Sequence, residues 1–332
     1  MTPFRPLRWL APAGARARLS IFIFHRVLER EDPLRPGEPD ADRFDRIVQF
    51  ISSHFQVMPL PVAAAALTQG CLPAAAACIT FDDGYADNLT LAAPILRRHG
   101  VTATVFVSTA YTDGGRMWND SVIEAVRAAP AGELDWRDFD LGLAVISDDA
   151  SRNERVNAIL PQLKYMEPAQ RAAIADEMAR RCGVQAQPDL MMSRSQILEC
   201  RALGFDIGGH TVHHPILARL NDKDAAAEVE DGRAQLTQWM GEAPRAFAYP
   251  NGMPGRDYGA RDVALVKRAG YTCAVSTARG AATRFCDPYQ LPRYMPWDRT
   301  MWAFGLRCAR TLVETWRAAA RGSIDHNMEV RT

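Results

Sequence analysis

The sequence predicts an α/β fold in which β/α units repeat around a parallel sheet. Short apolar runs alternate with amphipathic helical stretches along most of the 332 residues, which is the pattern of parallel β/α architectures. Two of the predicted helices end just before a glycine, Gly204 and Gly270, and glycine is the favoured residue after a helix C-terminus. A chain of this length can bury a sizeable core. We expect a single α/β domain.

Six apolar runs have the length and composition of buried strands. They are residues 19–24, 77–81, 101–107, 205–208, 246–249 and 271–276. Residues 41–54 place Phe44, Ile47, Val48 and Ile51 at helical spacing, and a second helix is predicted over 86–99. Ser193 and Gln196 form a capping box that begins a further helix. The strands and helices therefore follow one another in the order that β/α units require.

The segment from about 111 to 190 departs from this alternation. It contains helical patterns at 153–163 and 168–181 but no strong strand signal, and nothing like a linker flanks it. We interpret it as a helical insertion in one loop, with the main body at about 19–110 and 190–296. The pattern of residues 297–321 predicts a long closing helix whose apolar side contains Trp302, Leu306, Val313 and Trp316. We interpret residues 322–332 as a tail.

Composition excludes several classes of protein. Hydrophobic residues make up 48% and charged residues 23% of the chain, so disordered, collagen-like and disulfide-scaffold proteins are excluded. Basic and acidic residues number 39 each, and this zero net charge argues against a nucleic-acid partner. The seven cysteines form no CxxC pair, which argues against a zinc knot and favours a reducing compartment.

Membrane and export signals are weak. The sequence has no stretch of 18 apolar residues, so no membrane span is expected. Residues 1–26 hold five arginines and no acid, but the apolar run there is short and contains Pro12, unlike a signal sequence. We favour a cytoplasmic location, with a periplasmic or membrane-associated one as the alternative. The closing helix, rich in Arg and Trp, can lie on a membrane surface, although covering the main body is the favoured interpretation. The sequence does not determine an oligomeric state.

Polar residues directly follow three predicted strands, where parallel β/α folds build their sites. Asp82 and Asp83 end the first of these strands, and adjacent carboxylates there point in different directions. One can therefore bind a metal while the other acts as a base. A helix cap with Gly84 in a turn is the alternative, and Asp-Asp-Gly alone would favour it.

The second cluster contains three histidines within five residues. His210 and His214, four residues apart, can converge on one cation, and with a carboxylate they form a 2-His-1-carboxylate set that suits Zn²⁺ or another divalent transition metal. His213 lies between them and is expected to face away. The third cluster is Pro250-Asn251-Gly252, a turn that can offer a backbone N–H to an anion.

Taken in this order, the clusters resemble the motifs of the polysaccharide deacetylases, the NodB-homology group of carbohydrate esterase family 4. The matching segments are 80–84, 210–215 and 247–252, and the resemblance covers roughly 19–110 and 190–296. It implies a distorted (β/α)₇ barrel that removes N-acetyl groups, usually from N-acetylglucosamine polymers. The first two motifs are specific when they occur together, and the third is weak.

The resemblance also implies residue roles. Asp82 would be the general base, and Asp83, His210 and His214 would bind a divalent metal, for which Zn²⁺ is favoured and Co²⁺, Ni²⁺ or Fe²⁺ are alternatives. The backbone N–H of Asn251 would stabilise the oxyanion. Tyr249, Arg293 and Trp118 are assigned to substrate binding, Trp118 because its ring can stack on a sugar; packing of the insertion is an equal alternative for that residue.

The chain departs from the family pattern in two ways. Many members have an arginine in the third motif that pairs with the catalytic aspartate, and here that position is Ala248. The later motif whose histidine serves as general acid has no counterpart. Arg293 is a candidate replacement for the arginine. His25 ends the first strand in a Phe-His-Arg-Val segment similar to the Tyr-His-x-Val opening of the biofilm poly-N-acetylglucosamine deacetylase branch, and it is a candidate general acid. A satisfied core histidine is the alternative.

The sequence therefore predicts a single catalytic domain, 1–332, that is a metal-dependent carbohydrate N-deacetylase. Its partner would be a glycan bearing N-acetylhexosamine: an exopolysaccharide, a lipid-linked glycan or an oligosaccharide. Two alternatives stay open. One is a hydrolase of the same fold acting on a cyclic imide, a ureide or an O-acetyl ester. The other is a glycan-binding scaffold with a degenerate site.

Overall fold

The computed structural model describes residues 7–296 and 298–320, and its centre is a ring of parallel strands. Numbered in chain order, the strands are β1 Ser20–Phe24, β2 Gln56–Val57, β3 Ala76–Phe81, β4 Thr104–Val107, β5 Gly132–Asp135, β6 Leu143–Ile146, β7 Asp206–Gly209, β8 Ala246–Ala248, β9 Cys273–Arg279 and β10 Leu291–Arg293. The helices are α1 Leu7–Leu10, α2 Ala41–His54, α3 Leu60–Thr68, α4 Ala93–Arg98, α5 Trp118–Ala128, α6 Asp149–Lys164, α7 Pro168–Arg181, α8 Arg194–Ala202, α9 Asp222–Met240, α10 Ala260–Arg268 and α11 Met301–Ala320.

The parallel strands follow the order β1-β3-β4-β7-β8-β9-β10, and β2 pairs with the start of β3. A parallel bridge between Phe22 and Tyr294 brings the end of β10 back to β1. In it, the Ile23 N–H donates to the Tyr294 carbonyl at 2.9 Å and the Tyr294 N–H donates to the Ile21 carbonyl at 2.7 Å. Pairing of β7 with β8 is limited to Gly209 and Phe247, so the ring is irregular there. The predicted distorted (β/α)₇ barrel is confirmed.

Side chains alternate between the two faces of the strands, as the period of a β-strand requires. Phe22, Ile79 and Phe81 pack in the core beneath α2, α4 and α11, whereas Ile21 and Cys78 belong to a second cluster that contains Ala248 and Val275. The glycines of β7 are required by close packing. A Cβ on Gly208 would lie 2.4 Å from Cδ1 of Phe106, and one on Gly209 would lie 2.0 Å from the Tyr271 hydroxyl. Because a side chain would clash at both positions, only glycine allows β7 to pack this closely just before His210.

The six predicted strands all overlap observed ones, and the helix over 41–54 is observed at Ala41–His54. The capping box at Ser193 is present: its hydroxyl accepts from the Gln196 N–H, and the Gln196 side chain accepts from the Ser193 N–H. The helix predicted over 86–99 differs. It is a π-helix at Asn88–Ala92 followed by α4, and the Asn88 side chain donates to the His25 carbonyl at 2.8 Å.

The insertion packs around a hydrophobic cluster of its own. Val122, Ile159 and Met178, from α5, α6 and α7, are buried there together with Trp136. The expectation of a purely helical segment is wrong in one respect, because β5 and β6 form an antiparallel hairpin. Three of the four residues of β5 are exposed, so the strand lacks the apolar character that identifies buried strands.

The closing helix begins at Met301, and Phe304, Cys308 and Leu312 face the core. The predicted apolar side is therefore wrong for Trp302 and Leu306, whose exposed fractions are 60% and 56%. The described part of the chain does not include three parts of this prediction: Trp297, residues 321–332 at the predicted helix end and tail, and the side chain of Trp316. Among the described residues, no helix combines the length and apolar character that crossing a bilayer would need.

Candidate active site

Asp82 and Asp83 occupy a sharp turn at the end of β3. The Asp82 N–H continues the sheet by donating to the Phe24 carbonyl at 2.9 Å. Asp83 and Gly84 then adopt left-handed conformations, with φ of 77° and 86°. A non-glycine residue in this region is uncommon and strained, which is typical of functional sites. The turn sends the two carboxylates in different directions, as the sequence predicts.

Asp83 converges with two histidines. Its Oδ1 lies 3.4 Å from Nε2 of His210 and 3.4 Å from Nε2 of His214. One ligand atom from each of the three residues lies within 4.8 Å of the others. The Asp83 Oδ1 is buried and has no hydrogen-bond partner among the described residues. Because such an atom is costly to bury, the site fits a cation that would bind it.

The histidines are oriented by the backbone. His210 Nδ1 lies 2.7 Å from the Ala248 carbonyl, so Nδ1 carries the proton and Nε2 is left as the ligand atom. His214 has φ 53°, and its N–H donates to the Thr211 hydroxyl at 3.0 Å. Burial lowers the pKa of His214 to about 3, so its imidazole is neutral, as a metal ligand must be. Burial alone would raise the pKa of Asp83, but the neighbouring histidines, His214 first, bring it well below its usual range.

Asp82 is paired with Arg293 from β10. The two guanidinium nitrogens Nη1 and Nη2 donate to Oδ1 and Oδ2 of Asp82 at 2.7 and 2.8 Å, and Nε donates to the Ser276 carbonyl at 2.9 Å. The side chains are 0% and 4% exposed. Burial opposes ionisation of Asp82, but the charge of Arg293 outweighs it and the pKa of the carboxyl is lowered. Ala248 stands where many family members have the arginine that pairs with this aspartate, and here Arg293 provides the guanidinium from another strand.

His25 lies after β1 at the same end of the barrel. Its side chain is 38% exposed, and Nδ1 lies 3.9 Å from Oε1 of Glu38. Partial burial lowers the pKa of His25, but the charges of Asp83, Glu38 and Asp82 raise it, and the net shift is upward. A raised pKa increases the protonated fraction of the imidazole, which is the form that a general acid needs. The structure does not bring its ring into hydrogen-bond contact with Asp82 or Asp83.

The third cluster follows β8. Asn251 and Gly252 have φ of 60° and 69°, and the Asn251 N–H has no acceptor among the described residues. The Asn251 carbonyl accepts from the Thr277 hydroxyl at 2.8 Å, which fixes the turn. Tyr249 is fully buried, and its ring stacks on Tyr258 with centroids 3.8 Å apart. Its side chain therefore packs in the layer outside the barrel.

Trp118 and His213 lie at the margin of the site. Trp118 begins α5 and is half-buried, with the guanidinium of Arg171 4.8 Å from its ring. His213 is exposed and its Nδ1 lies 2.7 Å from Oε1 of Glu228, away from the metal-binding set. Glu228 also accepts the N–H groups of Val212 and His213 at 2.9 and 2.8 Å, so it fixes the histidine loop. Sequence reasoning misses Glu228 because it lies on α9 with no motif around it.

Comparison with known proteins agrees with this geometry. A family model described as polysaccharide deacetylase matches residues 69–131 and 141–274, more than half of the chain. The chain belongs to the polysaccharide deacetylase family, and it is accordingly a hydrolase that acts on carbon–nitrogen bonds. A search of curated proteins finds no match.

Solved structures share the fold at low sequence identity. The Streptococcus pyogenes deacetylase PplD, solved with acetate, is 19% identical with a TM-score of 0.54, over 83% of this chain and 91% of that one. IcaB from Ammonifex degensii is 17% identical with a TM-score of 0.56, over 91% and 99%. A de-N-acetylase from Aggregatibacter actinomycetemcomitans is 13% identical with a TM-score of 0.56, over 88% and 99%.

Proposed function

We propose that the protein is a metal-dependent N-deacetylase that removes acetyl groups from N-acetylhexosamine units of a glycan. One observation carries the proposal. The Asp83–His210–His214 set, in which Asp83 and His210 are buried and a carboxylate oxygen is unsatisfied, lies beside a second carboxylate, Asp82, that Arg293 holds ionised. A scaffold with a degenerate site has no reason to retain both parts. The cytoplasmic location stays a prediction.

The metal would be held by Asp83 and the two histidines, and Zn²⁺ suits two nitrogens and one oxygen best among the ions considered. A Zn²⁺ ion bound there would supply Lewis-acid polarisation of the acetamide carbonyl and would acidify a bound water. The remaining coordination positions would be open because the chain supplies only three ligands from this set.

The protein's own residues account for the proton transfers. Asp82 accepts a proton from the attacking water, since its pairing with Arg293 keeps it ionised across the neutral range. The Asn251 N–H donates to the oxyanion that forms on the acetyl carbon. When the C–N bond breaks, His25 gives its proton to the leaving amine. The products are acetate and a free amino sugar.

The test is acetate release by the purified protein from N-acetylglucosamine oligomers. The protein would be stripped of metal with a chelator and assayed with and without added Zn²⁺ or Co²⁺. Asp82→Asn tests the base, and His213→Ala is the matched control because that histidine lies in the same loop but pairs with Glu228. Release that needs metal, is lost in Asp82→Asn and persists in His213→Ala supports the proposal.

Other outcomes would separate the alternatives. Metal binding without release from acetamido sugars, combined with turnover of a cyclic imide or an O-acetyl ester, would replace the proposal with a different hydrolase of this fold. Failure to bind metal and to release acetate from any of these substrates would contradict it and favour the scaffold.

A further inference from the structure

Three cations surround one aromatic ring at the rim of the catalytic end of the barrel. Lys164 Nζ lies 5.4 Å from the centroid of the Tyr165 ring, and the guanidinium carbons of Arg219 and Arg256 lie 5.5 and 4.6 Å from it. These four residues are called the rim cluster below. They come from three separate segments of the chain, so nothing in the sequence indicates that they meet.

The rim cluster is attached to the loops that carry the site. Arg219 ends a 3₁₀ turn in the loop after β7 that also contains His214, and Arg256 lies in the loop after β8 that contains Asn251. The Ala218 N–H donates to the Asp257 carbonyl at 3.0 Å and joins the two loops. Lys164 and Tyr165 come from the insertion. The rim cluster and the candidate metal-binding residues are therefore carried by connected loops at the same end of the barrel.

The rim cluster has more positive than negative charge. Asp257 is the carboxylate in contact with it, and its oxygens are already occupied: Oδ1 accepts from the Tyr165 hydroxyl at 3.3 Å and Oδ2 from the Met253 N–H at 3.0 Å. Among the described residues, none of the three cations forms an ion pair. Surface arginines elsewhere do, such as Arg127 with Asp32 at 2.6 Å.

The positive region extends beyond the rim cluster. Arg171 lies next to the rim cluster: it is 5% exposed, its Nη1 donates to the Lys164 carbonyl at 3.0 Å, and its Nε has no partner among the described residues. It lies over the ring of Trp118 at 4.8 Å, so this positive region continues to the candidate sugar-stacking residue.

We propose that the rim cluster binds an anionic group, a carboxylate or a phosphate, carried by the glycan next to the N-acetylhexosamine that is deacetylated. Arginine side chains and a lysine are the usual partners of such groups. The ligand would be an acidic saccharide such as a uronate-containing oligosaccharide, or a sugar phosphate. This inference rests on the proposed deacetylase function and specifies its substrate class.

The first test measures binding, so that it does not depend on turnover. Calorimetry on the full metal-loaded chain, in an Asp82→Asn background that prevents hydrolysis, would compare a tetrasaccharide of alternating glucuronic acid and N-acetylglucosamine with its carboxyl-reduced, neutral form. A second pair, N-acetylglucosamine 1-phosphate and the methyl glycoside of N-acetylglucosamine, tests phosphate. We expect the anionic member of at least one pair to bind about tenfold more tightly, as for a charged hydrogen bond. The preferred pair identifies the anion as carboxylate or phosphate.

The variant Arg219→Gln/Arg256→Gln should remove this preference, while affinity for the neutral sugars stays the same. Arg284→Gln is the matched control. Arg284 is exposed and lies over an aromatic ring, Phe285, at 4.7 Å, but it is at the other end of the barrel, where Ala282 pairs with Leu19 just before β1. High salt should reduce the preference in the parent protein.

Equal affinities within both pairs would overturn the proposal, as would a double variant that weakens anionic and neutral sugars alike. A second measurement covers the case in which the Asp82→Asn background is unstable: KM for the acidic and neutral oligosaccharides, with Asp82 intact. Turnover of both forms with the same KM would contradict anion binding by the rim cluster and would support the deacetylase activity. Anion-selective binding without any turnover would contradict the deacetylase activity and would support anion binding by the rim cluster.

Discussion

Arg293 donates two parallel hydrogen bonds to Asp82 across 211 positions of sequence, and both side chains are almost fully buried. The pair joins the last strand of the barrel to the strand that carries the candidate base. Its geometry is bidentate, with 2.7 and 2.8 Å between the nitrogen and oxygen atoms, which fixes the carboxylate plane as well as its charge. Arg293 is therefore a positioning residue in our proposal, since it does not face an open cleft where a sugar would bind.

Replacing Arg293 with Gln should reduce kcat/KM and move the acid limb of its pH profile to higher pH. The reason is that burial raises the pKa of Asp82 once the guanidinium charge is removed. Leaving a buried carboxylate unpaired should also reduce the free energy of unfolding at pH 7 by about 3–5 kcal/mol. The pH profile of acetate release and denaturant unfolding would measure both effects.

The double variant Asp82→Asn/Arg293→Gln is the control for stability. It should recover part of the lost unfolding free energy, because no isolated charge is left, but it should stay inactive. An acid limb at the same pH in Arg293→Gln and in the unaltered protein would show that Arg293 does not tune the base.

The fold class and the metal-binding residues could be predicted because local signals mark them. Apolar runs identify β1, β3 and β7. The aspartate pair directly follows β3 and the histidine cluster directly follows β7, so both are recognisable as polar residues at strand ends. Arg293 is different: the sequence offers it only as a candidate for the arginine missing from the third motif, because β10 has three residues, one of them Pro292, and no periodicity marks it. Its contact with Asp82 depends on barrel closure, which only tertiary structure determines.

The rim cluster and the β5–β6 hairpin could not be predicted for a related reason. The cations around Tyr165 come from the end of α6 and from the loops after β7 and β8, and only tertiary structure brings these segments together. In the hairpin, the side chains of Leu143 and Val145 are 47% and 66% exposed, so apolar residues there do not indicate a buried strand. Apolar periodicity in a sequence indicates which face of a helix or strand is buried. The rim cluster and the hairpin are largely exposed, so that periodicity does not reveal them.

Removing a metal ligand should abolish high-affinity metal binding. We expect His214→Ala to weaken Zn²⁺ binding by more than about 100-fold, because the set provides only three ligands and even loss of supporting residues costs 10- to 100-fold. Metal content after dialysis, measured by elemental analysis, is the readout.

His213→Ala should retain the metal, since its imidazole contacts Glu228. The two substitutions are chemically identical and one residue apart, so general damage to the loop would affect both. Equal metal content in the two variants would remove His214 from the set of ligands.

His25→Gln should reduce kcat about 100-fold or more while KM changes little, as for loss of a general acid. The defect should be smaller for an aryl acetamide such as 4-nitroacetanilide, because its leaving amine needs less help from a proton. A purely structural role for His25 would reduce turnover of both substrates by the same factor.

Glu38→Gln tests the charge that faces His25. The Glu38 carboxylate helps to raise the pKa of His25, so its removal should move the basic limb of the pH profile to lower pH. The limb should disappear in His25→Gln. His99→Gln is a control, because that ring contacts Asp45 on the outer helices.

Asp206 offers a prediction about stability away from the site. It begins β7, its Oδ2 is buried with no hydrogen-bond partner in the described part of the chain, and burial raises its pKa to about 6. The ordinary value is about 4, so between these values the folded state binds more protons than the unfolded state. Asp206 therefore makes the free energy of unfolding fall as pH rises from 4 to 6.

Asp206→Asn should remove this dependence and stabilise the protein above pH 6 by about 2–3 kcal/mol, with the difference vanishing below about pH 4. Denaturant unfolding between pH 4 and 8 measures it. Asp231→Asn, which alters an exposed carboxylate on α9, should leave the curve unchanged. A variant less stable than the parent at pH 8 would contradict the prediction.

The bridge between Phe22 and Tyr294 has a consequence for when the protein becomes active during its synthesis. The three candidate metal ligands are all present in the chain by residue 214, whereas the arginine that pairs with Asp82 arrives 79 residues later, in the strand that the bridge fastens beside β1. The candidate metal ligands therefore all precede β10 in the chain, and Asp82 lacks its counter-charge until that strand docks beside β1. In the proposed mechanism, closure of the barrel is thus also the step that supplies the charge on which ionisation of the base depends.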